Sequence, residues 1–303
     1  MLATPWPEPF DDERWVFELK WDGVRCIAST REGVTRLTSR RGNDMTERYP
    51  EVARADLPGG LVLDGEIVAL DGRGRPSFER LQSRMNRVPS AGETTVAVTY
   101  VVFDLLVCGT PIIDEPLEQR AERLAAVSLP SPLVRADRYQ GESAAVWQFV
   151  LEHDLEGIVG KRLGSAYVPG FRSPDWRKMG NFKQLRAVVG GFTRGTGGRG
   201  SSFGALLLGL KDGDKLRWIG AVGTGFNNRS LDAIRSALGE MVTAECPFHP
   251  DRELPKASTW VHPKLVAMVR FKEWTAAGRV RAPSFLGFTD DPASAVTWEI
   301  EGP

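Results

Sequence analysis

The stretch Trp15-Val16-Phe17-Glu18-Leu19-Lys20-Trp21-Asp22-Gly23 begins as a buried strand and ends in a lysine, an acid and a glycine. A lysine at the end of a rigid apolar strand can be a nucleophile rather than a surface charge, and Gly23 lets the backbone turn sharply beside it. Glu18 lies two residues before Lys20, so both side chains share a face if the strand runs on. Lysines near strand ends are common and Lys-x-Asp-Gly recurs by chance, so the rest of the chain has to decide.

Working outward, residues 14–20, 24–29 and 33–38 read as short strands with turns at Asp22-Gly23 and Glu32-Gly33. Leu61–Leu70 reads as two strand segments around Gly65, and Val96–Val107 as a long buried strand. Ser77–Arg87 reads as a helix capped by Ser77, with Arg80, Arg84 and Arg87 on one face. Leu117–Val127 and Glu142–Asp154 have helical periodicity, and Gly157–Lys161 is a short strand. Near Arg186 the character changes. Ala187–Thr193, Gly204–Leu210, Lys215–Val222 and Leu265–Trp274 are strands, and Ser230–Val242 is a helix with Ser230 as its cap. That pattern suits a small Greek-key barrel of the OB type. The expected architecture is α+β, with one domain over 1–186 and an OB-fold domain over 187–303. Asp290–Pro303 is expected to be partly loose.

Composition narrows the class. A chain of 303 residues with 42% hydrophobic and 26% charged residues has the make-up of a globular protein with room for two cores. No run approaches the ~18 apolar residues of a membrane span, and the N-terminus carries no secretion signal. Cys26, Cys108 and Cys246 are isolated, and His153, His249 and His262 are scattered, so neither a disulfide framework nor a Cys-x-x-Cys metal site is expected. A reducing cytoplasm fits. Net charge is zero, yet between Gly160 and Gly200 the bases Lys161, Arg162, Arg172, Arg177, Lys178, Lys183, Arg186, Arg194 and Arg199 face only one acid, Asp175. A local excess of that kind suits a polyphosphate or a nucleic-acid backbone, or else a solvated basic face.

Six motifs then fall in one order: Lys20-Trp21-Asp22-Gly23-Val24-Arg25, Ser39-Arg40-Arg41-Gly42, Asp64-Gly65-Glu66-Ile67, Val102-Phe103-Asp104, Glu156-Gly157-Ile158-Val159-Gly160-Lys161 and Trp176-Arg177-Lys178. With them the chain resembles the ATP-dependent DNA ligases of the covalent nucleotidyltransferase superfamily, over nearly its whole length. The resemblance is closest to the ligase domain of bacterial end-joining ligases and to the small stand-alone bacterial ligases. Pro263–Val266, Phe271–Thr275 and Pro283–Gly287 extend it. It implies an adenylation domain of antiparallel sheets with flanking helices, followed by the OB-fold.

The resemblance also implies a chemistry. A lysine attacks the α-phosphate of ATP, AMP passes to the 5′-phosphate of a nick, and the 3′-hydroxyl displaces it. Only neutral lysine attacks, and with a reference pKa of about 10.4 roughly one lysine in a few thousand is neutral at pH 7. Lys20 is the implied nucleophile. Glu18, Arg25, Arg40, Glu66, Phe103, Lys161 and Lys178 are the implied nucleotide-binding residues, with Phe103 stacking on adenine. Lys161, Lys178 and Arg25 supply charge that stabilises phosphoryl oxygens. Glu66 and Glu156 are the implied metal residues, for Mg2+ or Mn2+. Arg41, Lys183, Arg194, Arg199, Arg279 and Arg281 are candidate contacts to DNA or phosphate. The implied partners are nicked duplex DNA and repair or end-joining proteins. The chain is expected to act as a monomer, away from membranes, in a bacterial cytoplasm.

Two departures bear on the first step. The family carries lysines two and four residues after the Trp176 position; here these are Lys178 and Gly180. The family's closing Arg-x-Asp-Lys-like motif is here Thr289-Asp290-Asp291-Pro292. Slow self-adenylation is therefore expected, or a compensating cation such as Arg279, Arg281 or Lys183. The rival functions are an RNA ligase or capping-type nucleotidyltransferase, and a DNA-end binding module with weak self-adenylation.

Overall fold

The computed structural model describes residues 1–85, 88, 96–197, 200, 202–256 and 258–303, with the backbone alone at 228–230. Arg87 and Arg199 lie outside the described residues, as does the side chain of Ser230. The chain divides into two compact units, Met1–Asn181 and Phe182–Pro303.

The first unit has two sheets. One has the order β1-β11-β10-β2-β9, made of β1 (Leu2–Pro5), β2 (Asp12–Leu19), β9 (Tyr139–Gly141), β10 (Gly157–Arg162) and β11 (Arg172–Gly180). The other has the order β4-β3-β5-β6-β7, made of β3 (Val24–Arg31), β4 (Val34–Ser39), β5 (Leu61–Val68), β6 (Thr99–Cys108) and β7 (Thr110–Pro111), with β8 (Leu133–Arg135) on β6. Pairing is antiparallel except for β1 with β11 and β8 with β6. Each sheet buries an outer apolar face under helices. Cys26, Leu63, Tyr100 and Val102 join Leu81 of α2 (Phe78–Met85) and Leu124 of α3 (Leu117–Ala126) in one core. Trp15, Phe17, Ile158 and Met179 pack with Val146 and Val150 of α4 (Ser143–Glu152) in another.

Leu61–Val68 is one continuous strand rather than two segments, with a register shift at Asp64/Gly65. A Cβ on Gly65 would stand 2.5 Å from the Tyr100 ring, so the glycine admits that ring without breaking the strand. Gly23 lies in a bend, as expected, and has a second role besides. A Cβ there would lie 2.2 Å from the Ile67 carbonyl oxygen, so close approach to β5 requires the glycine. In α2, Ser77 Oγ accepts from Arg80 N at 3.4 Å and caps the helix as expected. Arg84 does not share an exposed face with Arg80. It is buried against Glu51, the Arg48 carbonyl and the Tyr49 ring.

The second unit is a seven-stranded sheet with one main helix. The long strand β12 (Lys183–Arg194) pairs β13 (Phe203–Asp212) on one side and both β16 (Ser258–Val261) and β17 (Val266–Phe271) on the other. β14 (Lys215–Val222) extends one edge, while β18 (Ser284–Thr289) and β15 (Val242–Thr243) extend the others. Among the described residues these ladders do not close into a ring. Phe285 N donates to the Thr224 carbonyl at 3.0 Å, and Thr224 Oγ1 donates to the Pro283 carbonyl at 3.0 Å, which joins the β18 segment to the residues just after β14. Helix Asn228–Gly239 starts before the expected Ser230 and stops short of Val242, which pairs with Val261 instead. Asp290–Pro303 is not loose: Val296 is fully buried, and Glu301 accepts from Arg186 Nε at 2.7 Å. No helix among the described residues is long and apolar enough to cross a membrane.

Candidate active site

The inner faces of the two sheets of the first unit bound a cleft of about 670 Å3. Lys20 is brought there by strand pairing. Ile158 on β10 stands opposite Leu19 on β2, and Lys20 N donates to the Gly157 carbonyl at 2.8 Å. The same register sets Glu156 beside the lysine, and Lys20 Nζ lies 2.5 Å from Glu156 Oε2. Gly157 has φ +141°, and a Cβ on it would meet the Met179 carbonyl at 2.1 Å, so only glycine follows Glu156 at this crossing.

Alternation along the strands aims the remaining groups inward. Glu18, Arg25, Glu66, Phe103, Lys161 and Lys178 all line the cleft, as do the exposed Arg40 and Arg41. Lys161 is buried, bonds Glu18 at 2.7 Å and stands 4.5 Å above the Phe103 ring and 4.3 Å above that of Trp176. Burial lowers its pKa, against the pull of Glu18. Arg25 donates twice to the buried Asp64, at 3.0 and 2.5 Å, and Tyr167 Oη donates to the same carboxylate at 2.8 Å. Glu66 keeps some solvent access, but protein surrounds its carboxyl. Desolvation pushes its pKa up to about 8, with Lys20 and Arg25 opposing and Glu156 adding to the rise.

The basic excess between Gly160 and Gly200 is not one face. Lys161, Arg172 and Lys178 line the cleft. Arg162 pairs with Asp175 at 2.5 Å, and Arg186 with Glu301 and Asp291. Arg177 lies over the rings of Trp6 and Trp15, at 3.8 and 4.3 Å. Lys183 and Arg194 are exposed on β12, in the second unit. Arg279 and Arg281 also belong to that unit. Arg279 is ion-paired with Asp251 and donates to the Trp218 carbonyl at 2.6 Å, and Arg281 bonds Glu273 at 2.5 Å.

Several cleft residues were not singled out. Val159 lies within the Glu156–Lys161 motif, stands opposite Glu18 in the β2–β10 register and lines the cleft as an apolar group. Arg48 and Arg172 add cations at the rim. Their signal was weak, because isolated arginines and a valine in an apolar run carry no spacing of their own.

The carboxylates of Glu66 and Glu156 suit a hard cation that keeps several waters. Among the described residues no cluster of three or more His, Cys, Asp or Glu forms a fuller cage. Glu66 and Glu156 are close enough for each charge to oppose the other, which a bound cation would relieve.

Residues 1–180 match the ATP dependent DNA ligase domain, and residues 199–292 match the ATP dependent DNA ligase C terminal region. The chain belongs to the ATP-dependent DNA ligase family. It is similar to the multifunctional non-homologous end joining protein LigD of Mycolicibacterium smegmatis, 36% identical over 99% of this chain and 39% of the relative. The SPbeta prophage-derived DNA ligase-like protein LigB of Bacillus subtilis is 35% identical over 64% of this chain and 71% of its own length. A solved structure described as mycobacterial DNA ligase D complexed with ATP and MES superposes with a TM-score of 0.55 at 32% identity, over 98% of this chain and 96% of that one. The chain thus spans about two fifths of the length of the LigD relative.

Proposed function

We propose that the chain seals nicks between a 5′-phosphate and a 3′-hydroxyl in duplex DNA, using ATP and carrying AMP on Lys20. The pairing of Lys20 with Glu156 at the meeting point of β2 and β10, inside a cleft walled by Phe103 and rimmed by cations, supports this reading best. Lys20 is 25% exposed, so its ammonium proton can pass to solvent. The free amine then attacks the α-phosphorus, the N–P bond forms, and the P–O bond to pyrophosphate breaks. Phe103, Val159 and Lys161 receive the base, Arg25 and Glu66 the ribose side, and Lys178, Arg40 and Arg41 the phosphates. Glu66 and Glu156 would hold Mg2+ or Mn2+, which supplies charge neutralisation at phosphate oxygens when bound. The nick's 5′-phosphate next takes AMP from Lys20. The 3′-hydroxyl then attacks that phosphate, releases AMP and closes the strand.

The similarity to end-joining relatives supports a role in DNA repair by end joining, in a bacterial cytoplasm, as a monomer with repair proteins as partners. The expected DNA or phosphate contacts at Arg41, Lys183, Arg194, Arg199, Arg279 and Arg281 belong to this reading. Lys20→Ala should abolish a mass gain equal to AMP when pyrophosphate-treated protein is incubated with ATP and Mg2+ or Mn2+, read by intact mass. A Lys20→Ala protein that still sealed nicks from ATP would sink the proposal. A GTP arm separates the capping-type alternative, and a nicked substrate with RNA strands separates an RNA ligase. Binding of nicked DNA with no lysine adduct would leave the DNA-end module standing.

A further inference from the structure

Ala136-Asp137-Arg138 is the crossing between the two sheets of the cleft. Just before it, β8 pairs with β6 of one sheet, and Ala136 N donates to the Val102 carbonyl at 2.8 Å. Just after it, β9 pairs with β2 of the other sheet. Arg138 stands where the sheets meet and bonds both. Its Nε donates to Glu18 Oε1 on β2 at 2.8 Å, and its terminal nitrogen donates to the Phe103 carbonyl on β6 at 2.6 Å. Lys161 on β10 closes the ring, with bonds to Glu18 Oε2 at 2.7 Å and to the same Phe103 carbonyl at 3.1 Å.

We propose that Arg138 is a positioning residue for nucleotide capture, setting the slot between Phe103 and the Glu18–Val159 strand pair that receives the base. The inference rests on the nucleotide-binding reading of the cleft and adds a residue outside all six motifs. The geometry demands a guanidinium: its planar fork reaches a carboxylate on one sheet and a carbonyl on the other at once, which an ammonium does less well. Glu18 is 3% exposed, so loss of Arg138 leaves a buried carboxylate and the Phe103 carbonyl to share Lys161. Lys161 also lies over the Phe103 and Trp176 rings, so the aromatic wall and the cation above it would shift together. The triphosphate would be gripped elsewhere, by Lys178 on β11 and by Arg40 and Arg41 just after β4.

The test compares two ligands by calorimetry in a Lys20→Ala background, where no covalent step occurs. Arg138→Met should weaken ATP binding about tenfold, the size expected for one lost charge-assisted hydrogen-bond pair. Binding of inorganic tripolyphosphate should change by less than about twofold, because it does not use the slot. Arg138→Lys should fall between, and it carries the test if the methionine variant does not fold. Unchanged ATP affinity, or equal weakening of both ligands, overturns the positioning role and leaves the nucleotide reading intact. Failure of ATP to bind the protein with Arg138 in place overturns the nucleotide reading, and this inference with it.

Discussion

Glu66 shows at the scale of one residue how the cleft tunes its chemistry. Its carboxyl has an ordinary pKa of 4.5 and is pushed up to about 8, chiefly by desolvation. The sign of the effect on stability follows from proton counts. Below pH 4.5 Glu66 is protonated in both states. Between 4.5 and about 8 the unfolded chain has lost this proton while the folded chain keeps it, so stability falls as pH rises through that window. Glu66→Gln mimics the protonated form. In chelator, the variant's melting temperature should gain on wild type steadily from pH 5 to 8, read by thermal denaturation. Parallel curves for the two proteins would show that Glu66 ionises without penalty. At the same scale, Lys20→Ala tests the nucleophile, and the Lys20–Glu156 contact gives it a partner that no local spacing indicates.

Strand β6 carries both the aromatic wall and its anchor, side by side at a register shift. Phe103 falls at the shift, between Val102 opposite Gly65 and Asp104 opposite Asp64, and lines the cleft, while Asp104 is 1% exposed. Arg120 of α3 is fully buried and donates twice to Asp104, both at 2.9 Å, as well as to the carbonyls of Glu115 and Ser165. The acid of the Val102-Phe103-Asp104 motif therefore ties α3 to β6. Arg120→Met would leave a buried, uncompensated carboxylate and should cost about 3–5 kcal/mol in urea denaturation. Adding Asp104→Leu to that variant should recover part of the loss. If the single variant lost less than about 1 kcal/mol, the pair would not be the anchor. Strand β11 of the other sheet alternates regularly, with Trp176 and Lys178 in the cleft and Arg177 turned to Trp6 and Trp15 on the other side. Gly180 shares the inward parity, so the missing family lysine is missing from the face that matters.

At the scale of the molecule, each hydrophobic cluster among the described residues lies within one of the two units. One cluster lies within Leu185–Val296, and three lie within Met1–Met179. Each unit thus has its own core and should fold alone. Fragments 1–181 and 182–303 are expected to unfold cooperatively in separate calorimetric scans, and the first should retain ATP affinity. A first fragment without a cooperative transition would show that its cores depend on the rest of the chain. The order of most strands was legible in the sequence, and so were Lys20, Glu66 and Phe103, which the fold brings to one cleft, with Glu156 against Lys20. Motif chemistry and alternation are local, and they survive being read along one dimension. Illegible were the contacts that pair residues far apart: Lys20 with Glu156, Arg138 bridging Glu18 and the Phe103 carbonyl, and the engagement of Arg279 by Asp251. The bend at Gly23 was legible, but not its packing reason, since only the approach of Ile67 reveals that. The sequence by itself determined the residue types the reaction needs and the two cores that carry them. The tertiary structure alone decided which charges are neutralised and which remain facing the cleft, because that depends on strand register and on distances between segments more than a hundred residues apart.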